Sequence, residues 1–112
     1  MNLSNFPVIR TALAAVIVAW SIPAHAADTL TVGQAKKAFT VGVLKAKVGD
    51  VVTFRNDDEF AHNVFSLSET QSFDLGSYKK GEVRTVKLTA PGTIEVECAI
   101  HPEMKMKIEV AK

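Results

Sequence analysis

The segment "CAIHPEM", residues 98–104, places a thiol, an imidazole and a thioether within one short stretch, at Cys98, His101 and Met104. Such side chains are scarce elsewhere: residues 27–112 retain only His62, Cys98, His101, Met104 and Met106 as histidine, cysteine or methionine. Each has an ordinary reading by itself. A buried free cysteine packs like a small hydrophobe, Met104 and Met106 suit a core, and the two histidines lie beside polar loops. Their joint placement argues otherwise. A connection as tight as 98–104 holds all three donors at one end of a domain, and a Greek-key return can bring His62 to that same end. The expectation is a metal site built on Cys98, His101 and His62.

The donor types restrict the metal. A thiolate, two imidazoles and a weak axial thioether suit a single copper ion in an electron-transfer site. Thiolate and thioether favour Cu(I), while the imidazoles keep Cu(II) accessible, so an intermediate geometry limits rearrangement when an electron moves. The fourth donor would be a methionine, Met104 or Met106. Zinc competes for such residues, but it prefers four firm nitrogen, sulfur or carboxylate ligands. Glu103 has the right chemistry for zinc, yet strand alternation points it away from Met104. No nucleophile with a base, second metal cluster or phosphate-cradling glycine loop is visible in the sequence. The chain therefore reads as a carrier of electrons rather than an enzyme.

The elements that must position these donors are strands. "VLKAKV" (43–48) sets Leu44, Ala46 and Val48 against Lys45 and Lys47, and Gly49-Asp50 turns the chain into "VVTFRN" (51–56), with Val52 and Phe54 inward. "AHNVFS" (61–66) and "VRTVKL" (83–88) are further short strands. "TIEVEC" (93–98) puts Ile94, Val96 and Cys98 inward, and "MKMKIEV" (104–110) does the same for Met104, Met106, Ile108 and Val110. The stretch 67–82 is the least regular and is read as loop with one short strand near Ser72–Leu75. Period-two runs separated by Gly, Pro and Asp signals predict an all-β, antiparallel Greek-key sandwich or barrel of about seven or eight short strands.

The first 26 residues read as a secretory signal peptide. Arg10 precedes an apolar run, "TALAAVIVAWSI", and "AHA" supplies small residues at Ala24 and Ala26. That is the charge, hydrophobic stretch of roughly 7–15 residues and A-x-A site of an exported protein. The run falls short of the roughly 20 residues that a membrane span needs. The expected working domain is residues 27–112, in the periplasm. It carries 12 basic and 12 acidic side chains, because Arg10 alone among the 13 basic and 12 acidic residues lies in the leader. Charge balance of this kind argues against nucleic acid and against adhesion to membranes. A lone cysteine cannot form an internal disulfide, although small exported domains commonly rely on them. Committed to a metal, it leaves a monomer as the expected state.

With these residues in view, the sequence resembles the cupredoxins, the blue copper proteins. The resemblance rests on "VGDVVTFRNDD" (48–58), "HNV" from His62, and Cys98-x2-His101-x2-Met104 leading into a final strand, and it covers roughly residues 30–110. The short gap before the methionine is the amicyanin type of ligand loop. The resemblance implies His62, Cys98 and His101 as strong ligands and Met104 as the weak axial one. It also implies that Asn63 ties the His62 strand to the Cys98 loop. Two features depart from the pattern: Ala99-Ile100 replaces a Thr-Pro or Ser-Pro pair, and Glu103 adds a charge to the loop.

The implied function is one-electron transfer between redox partners, a donor and an acceptor such as a dehydrogenase or a cytochrome, through the edge of His101. A module that stores, delivers or senses copper is the alternative. A redox enzyme with an open copper position is the third, and it requires that Met104 be displaced.

Overall fold

Among the described residues the alternating runs fold into nine strands stacked as two sheets. The computed structural model describes residues 11–20 and 26–112. In chain order the strands are β1 (Thr29–Ala35), β2 (Ala38–Phe39), β3 (Val43–Lys47), β4 (Val51–Asn56), β5 (His62–Ser66), β6 (Phe73–Tyr78), β7 (Val83–Lys87), β8 (Gly92–Glu97) and β9 (Lys105–Ala111). One sheet has the order β2-β1-β4-β7 and the other β3-β9-β8-β5-β6. Most of the expected leader, residues 1–10 and 21–25, lies outside the described residues, and the part between, 11–20, is exposed without helix or strand. Among the described residues no helix is long and apolar enough to cross a membrane.

The all-β sandwich matches the sequence reading, with one refinement. Two pairings are parallel, β1 with β4 and β3 with β9, whereas the alternating runs had been read as antiparallel throughout. Alternation reports which face of a strand is buried, not the direction of its neighbour. Here β3 leaves the first sheet for the second, so the chain reaches β4 by a crossover and lies beside β1 in the same direction.

Faces follow the pattern closely where the strands are regular. Val52, Phe54, Ile94, Val96, Cys98, Met104, Met106, Ile108 and Val110 are all buried. Val48 is 40% exposed, because β3 ends at Lys47 and the chain turns through Gly49 at φ +97°. Strand β6 is longer than the expected Ser72–Leu75. Its pairing with β5 jumps from Asn63↔Ser77 to Phe65↔Asp74, so β6 carries one extra residue at that point. Gly76, at φ +75°, absorbs the bulge. The inward phase therefore shifts from Phe73 and Leu75 to the buried Tyr78, and simple alternation misses the second half. Strand β1 escaped the sequence reading because its inward row, Leu30, Val32 and Gln34, ends on a polar residue.

That polar residue joins the sheets. Gln34 is fully buried; it accepts a hydrogen bond from the Tyr78 hydroxyl and donates from Nε2 to the Asn63 carbonyl at 3.2 Å. Asn56, equally buried, donates from Nδ2 to the carbonyls of Phe60 (2.8 Å) and Tyr78 (3.1 Å). Buried amides with every partner found fix one arrangement of the two sheets. Burial first, and the nearby Cys98 second, push the Tyr78 phenol well above its ordinary range, so it remains a hydroxyl donor. These bonds set the start of β5 and the ends of β1, β4 and β6 at one end of the sandwich.

At the opposite turn, Asp50 is buried and its carboxylate accepts from the backbone N–H groups of Asp28 (2.9 Å) and Lys47 (2.8 Å). Those two bonds hold its pKa below the ordinary carboxylate value despite an opposing push from burial. A carboxyl whose folded pKa is depressed adds stability above its unfolded pKa, and that contribution is lost as pH falls through the folded value. Thermal melts of the metal-free protein are therefore expected to drop below about pH 4, and the drop is smaller in Asp50→Asn, which has less to lose.

Candidate metal centre

The loop 98–104 is closed by its own backbone. Beyond the last β8–β9 pair, Glu97↔Lys105, the Cys98 N–H donates to the Met104 carbonyl at 3.2 Å. Within the loop the Met104 N–H donates to the His101 carbonyl at 2.9 Å. The ladder thus runs one step past both strands, and Ala99–Glu103 must close over it. Cys98 and Met104 are each 1% exposed, while His101 is half-buried and Ile100 lies at the surface.

His62 opens β5 and is fully buried. Its ring is held from both sides. Nε2 is hydrogen-bonded to Asp58 Oδ2 at 2.7 Å, and Nδ1 lies 3.8 Å from Cys98 Sγ. Next to it, Asn63 Oδ1 accepts from the Ala99 N–H at 2.6 Å, bridging β5 to the ligand loop. His62 lies beside a polar loop in sequence, yet its side chain is buried in the fold.

The nitrogen and sulfur atoms offered by His62, Cys98 and His101 all lie within 4.8 Å of one another. The His101 Nδ1 is buried without a hydrogen-bond partner. A buried polar atom left unpaired costs about 1–3 kcal/mol, so an orphan on a residue of this donor cluster marks a place for a cation. The donor chemistry, one thiol and two imidazoles, fits copper. Among the described residues no carboxylate joins the cluster; Glu103 is exposed and Asp58 is committed to the far side of His62. The two methionines differ in surroundings. Met106 is part of the hydrophobic core cluster between the sheets, whereas Met104 is buried outside it, beside the loop.

Asp58 was missed from the sequence, where "NDDEF" reads only as an acidic turn. Its carboxylate also accepts from the backbone N–H groups of Lys36 (2.7 Å) and Lys37 (3.1 Å). Both lysines have positive φ, 53° and 58°, the geometry of a tight hairpin turn normally made by Asn-Gly. Two lysines there are strained, and the shared carboxylate offsets the strain. Burial pushes the Asp58 pKa up, but the His62 ring and the two N–H groups outweigh it and leave the carboxyl below its ordinary value. The available signal was an acid four residues before a candidate ligand. Replacing Asp58 with alanine releases the His62 ring and leaves the lysine turn unsupported. Copper affinity, measured by competition with a chelator, is expected to fall about 10–100-fold, the usual effect of losing a ligand's hydrogen-bonded partner.

Comparison with known proteins agrees with this geometry. The family described as copper binding proteins, plastocyanin/azurin family, matches residues 26–111. The methylamine utilization protein MauL of Methylorubrum extorquens is 30% identical over 105 residues, 93% of this chain and 91% of that protein. Amicyanin of Paracoccus denitrificans is 31% identical over 91 residues, 78% of this chain and 70% of that one. A solved Cu(I) structure of an amicyanin variant superposes with a TM-score of 0.69 at 28% identity, covering 74% of this chain and 82% of that one. By its matched length, its sheets and its donor cluster, this chain belongs to the plastocyanin/azurin family of copper-binding proteins.

Proposed function

We infer that this chain is a one-electron carrier that holds one copper ion between His62, Cys98 and His101, with Met104 as the weak axial donor. The observation that carries the reading is the gathering of two imidazoles and one thiol within 4.8 Å, with His101 Nδ1 buried and unpaired among them. A copper ion bound there supplies a Cu(II)/Cu(I) couple. The chain's own residues do the rest. Asp58 and Asn63 fix the His62 side of the cage; the closed β8–β9 ladder fixes Cys98 and Met104. Side chains supply every donor, and the chain acts as a carrier rather than as an enzyme with its own substrate.

His101 is the ligand nearest to solvent, and exposed Ile100 and Phe60 flank it. We assign electron entry and exit to this edge. The partners are redox proteins. The likeness to amicyanin and to a methylamine utilization protein supports a dehydrogenase as donor, with a cytochrome as acceptor. The leader-like residues 1–26 support export to the periplasm.

Copper-loaded protein is expected to show intense visible absorption from the Cys98 thiolate, abolished in Cys98→Ser, together with a reversible one-electron wave by voltammetry. Copper that binds without such a wave, and passes instead to an acceptor apoprotein, would mark a storage or delivery module. Met104→Gln is expected to lower the reduction potential, because a harder axial oxygen favours Cu(II). Met106→Leu leaves the potential unchanged; the opposite pattern would make Met106 the axial donor.

A further inference from the structure

The two imidazoles of the metal centre are held by different means. His62 has a carboxylate on its far nitrogen, the usual device that fixes the tautomer and orientation of a metal-ligating histidine. His101 has none. Its Nδ1 is unpaired, and among the described residues no hydrogen bond to its ring orients it. It also sits in a loop rather than on a strand. A ligand so placed turns freely about its side-chain bonds unless packing stops it.

What stops it is Phe60. The phenyl and His101 ring centroids are 5.2 Å apart, tilted by 54°. The same phenyl lies 5.2 Å from the His62 ring at 75°, and the two imidazoles are 5.0 Å apart at 64°. All three contacts fall in the distance and angle range of favourable edge and tilted aromatic pairs. Phe60 is itself pinned, since its carbonyl accepts from the buried Asn56 Nδ2. The Lys37 Nζ lies 5.6 Å from its ring centroid. This phenyl remains 39% exposed, so filling the core does not explain its place in a loop of acids.

We propose that Phe60 is a positioning residue of the metal centre, whose ring does for His101 what the Asp58 carboxylate does for His62. The proposal rests on the copper-carrier reading above, but its first consequence is visible without metal. Wedged against both imidazoles, the phenyl holds the His101 ring in place beside the His62 ring.

Two variants test it, Phe60→Leu, which keeps apolar bulk, and Phe60→Tyr, which keeps the ring. Imidazole signals are compared by NMR in the metal-free protein, then in the Cu(I) protein, and removal of Cu(I) by a chelator is timed. In Phe60→Leu the His101 ring signals are expected to broaden or average while those of His62 hold, and Cu(I) is removed about tenfold faster, the factor expected for one lost aromatic pair. Phe60→Tyr restores both to parent behaviour. Unchanged His101 signals and release in Phe60→Leu would overturn the proposal, as would equal loosening of His62 and His101. A parent protein that takes up no copper defeats the carrier reading; the metal-free NMR comparison still decides the role of Phe60.

Discussion

A thiol and a thioether six residues apart can be brought together in many ways, but a β-ladder that continues through both of their backbones allows very few. The bond from the Cys98 N–H to the Met104 carbonyl extends the β8–β9 pairing past both strands. Everything in 99–103 must then fit over that closed rung, and the same short span carries His101. The remaining ligand comes from a neighbouring strand, since β5 pairs with β8 through Phe65↔Glu97. Site and sheet are thus one hydrogen-bonded object. The candidate metal centre sits at the end of a fold whose core is built from buried valines, isoleucines and Phe54.

The loop 56–61 joins this end of the second sheet to the first. Asn56 anchors it through the Phe60 and Tyr78 carbonyls, and Asp58 reaches both the His62 ring and the strained Lys36–Lys37 turn. A single carboxylate therefore serves the β1–β2 hairpin and a candidate metal ligand at once. Such sharing couples the strained turn to the orientation of the His62 ring. The aromatic triangle of Phe60, His62 and His101 lies against the same loop. Short-range polar bonds hold the inner imidazole and ring packing holds the outer one.

Much of this was legible beforehand, because period-two alternation names the buried face directly. Cys98, Met104 and Met106 were expected inward from that pattern alone, and they are buried. The scarcity of soft donors named His62 and His101 as their companions. What alternation could not show were features carried by polar or irregular backbone. Gln34 ended an apolar row and hid β1; Gly76 shifted the phase of β6 and hid its second half; strand direction has no signature in alternation at all. Asp58 and Phe60 were hidden for a related reason. A loop declares its composition in sequence, but its partners are chosen by tertiary contact, and "NDDEF" has the composition of a solvated turn.

The central claim is that folding alone brings His62 Nδ1, Cys98 Sγ and His101 Nδ1 to a common point. Crystal structures of the protein without metal and loaded with copper test this most directly. The account predicts that these three atoms shift by less than about 0.5 Å between the two, the tolerance of a preorganised site. A metal-free structure with residue 62 remote from residues 98 and 101, or a ligand that swings several ångströms to meet the ion, would contradict it.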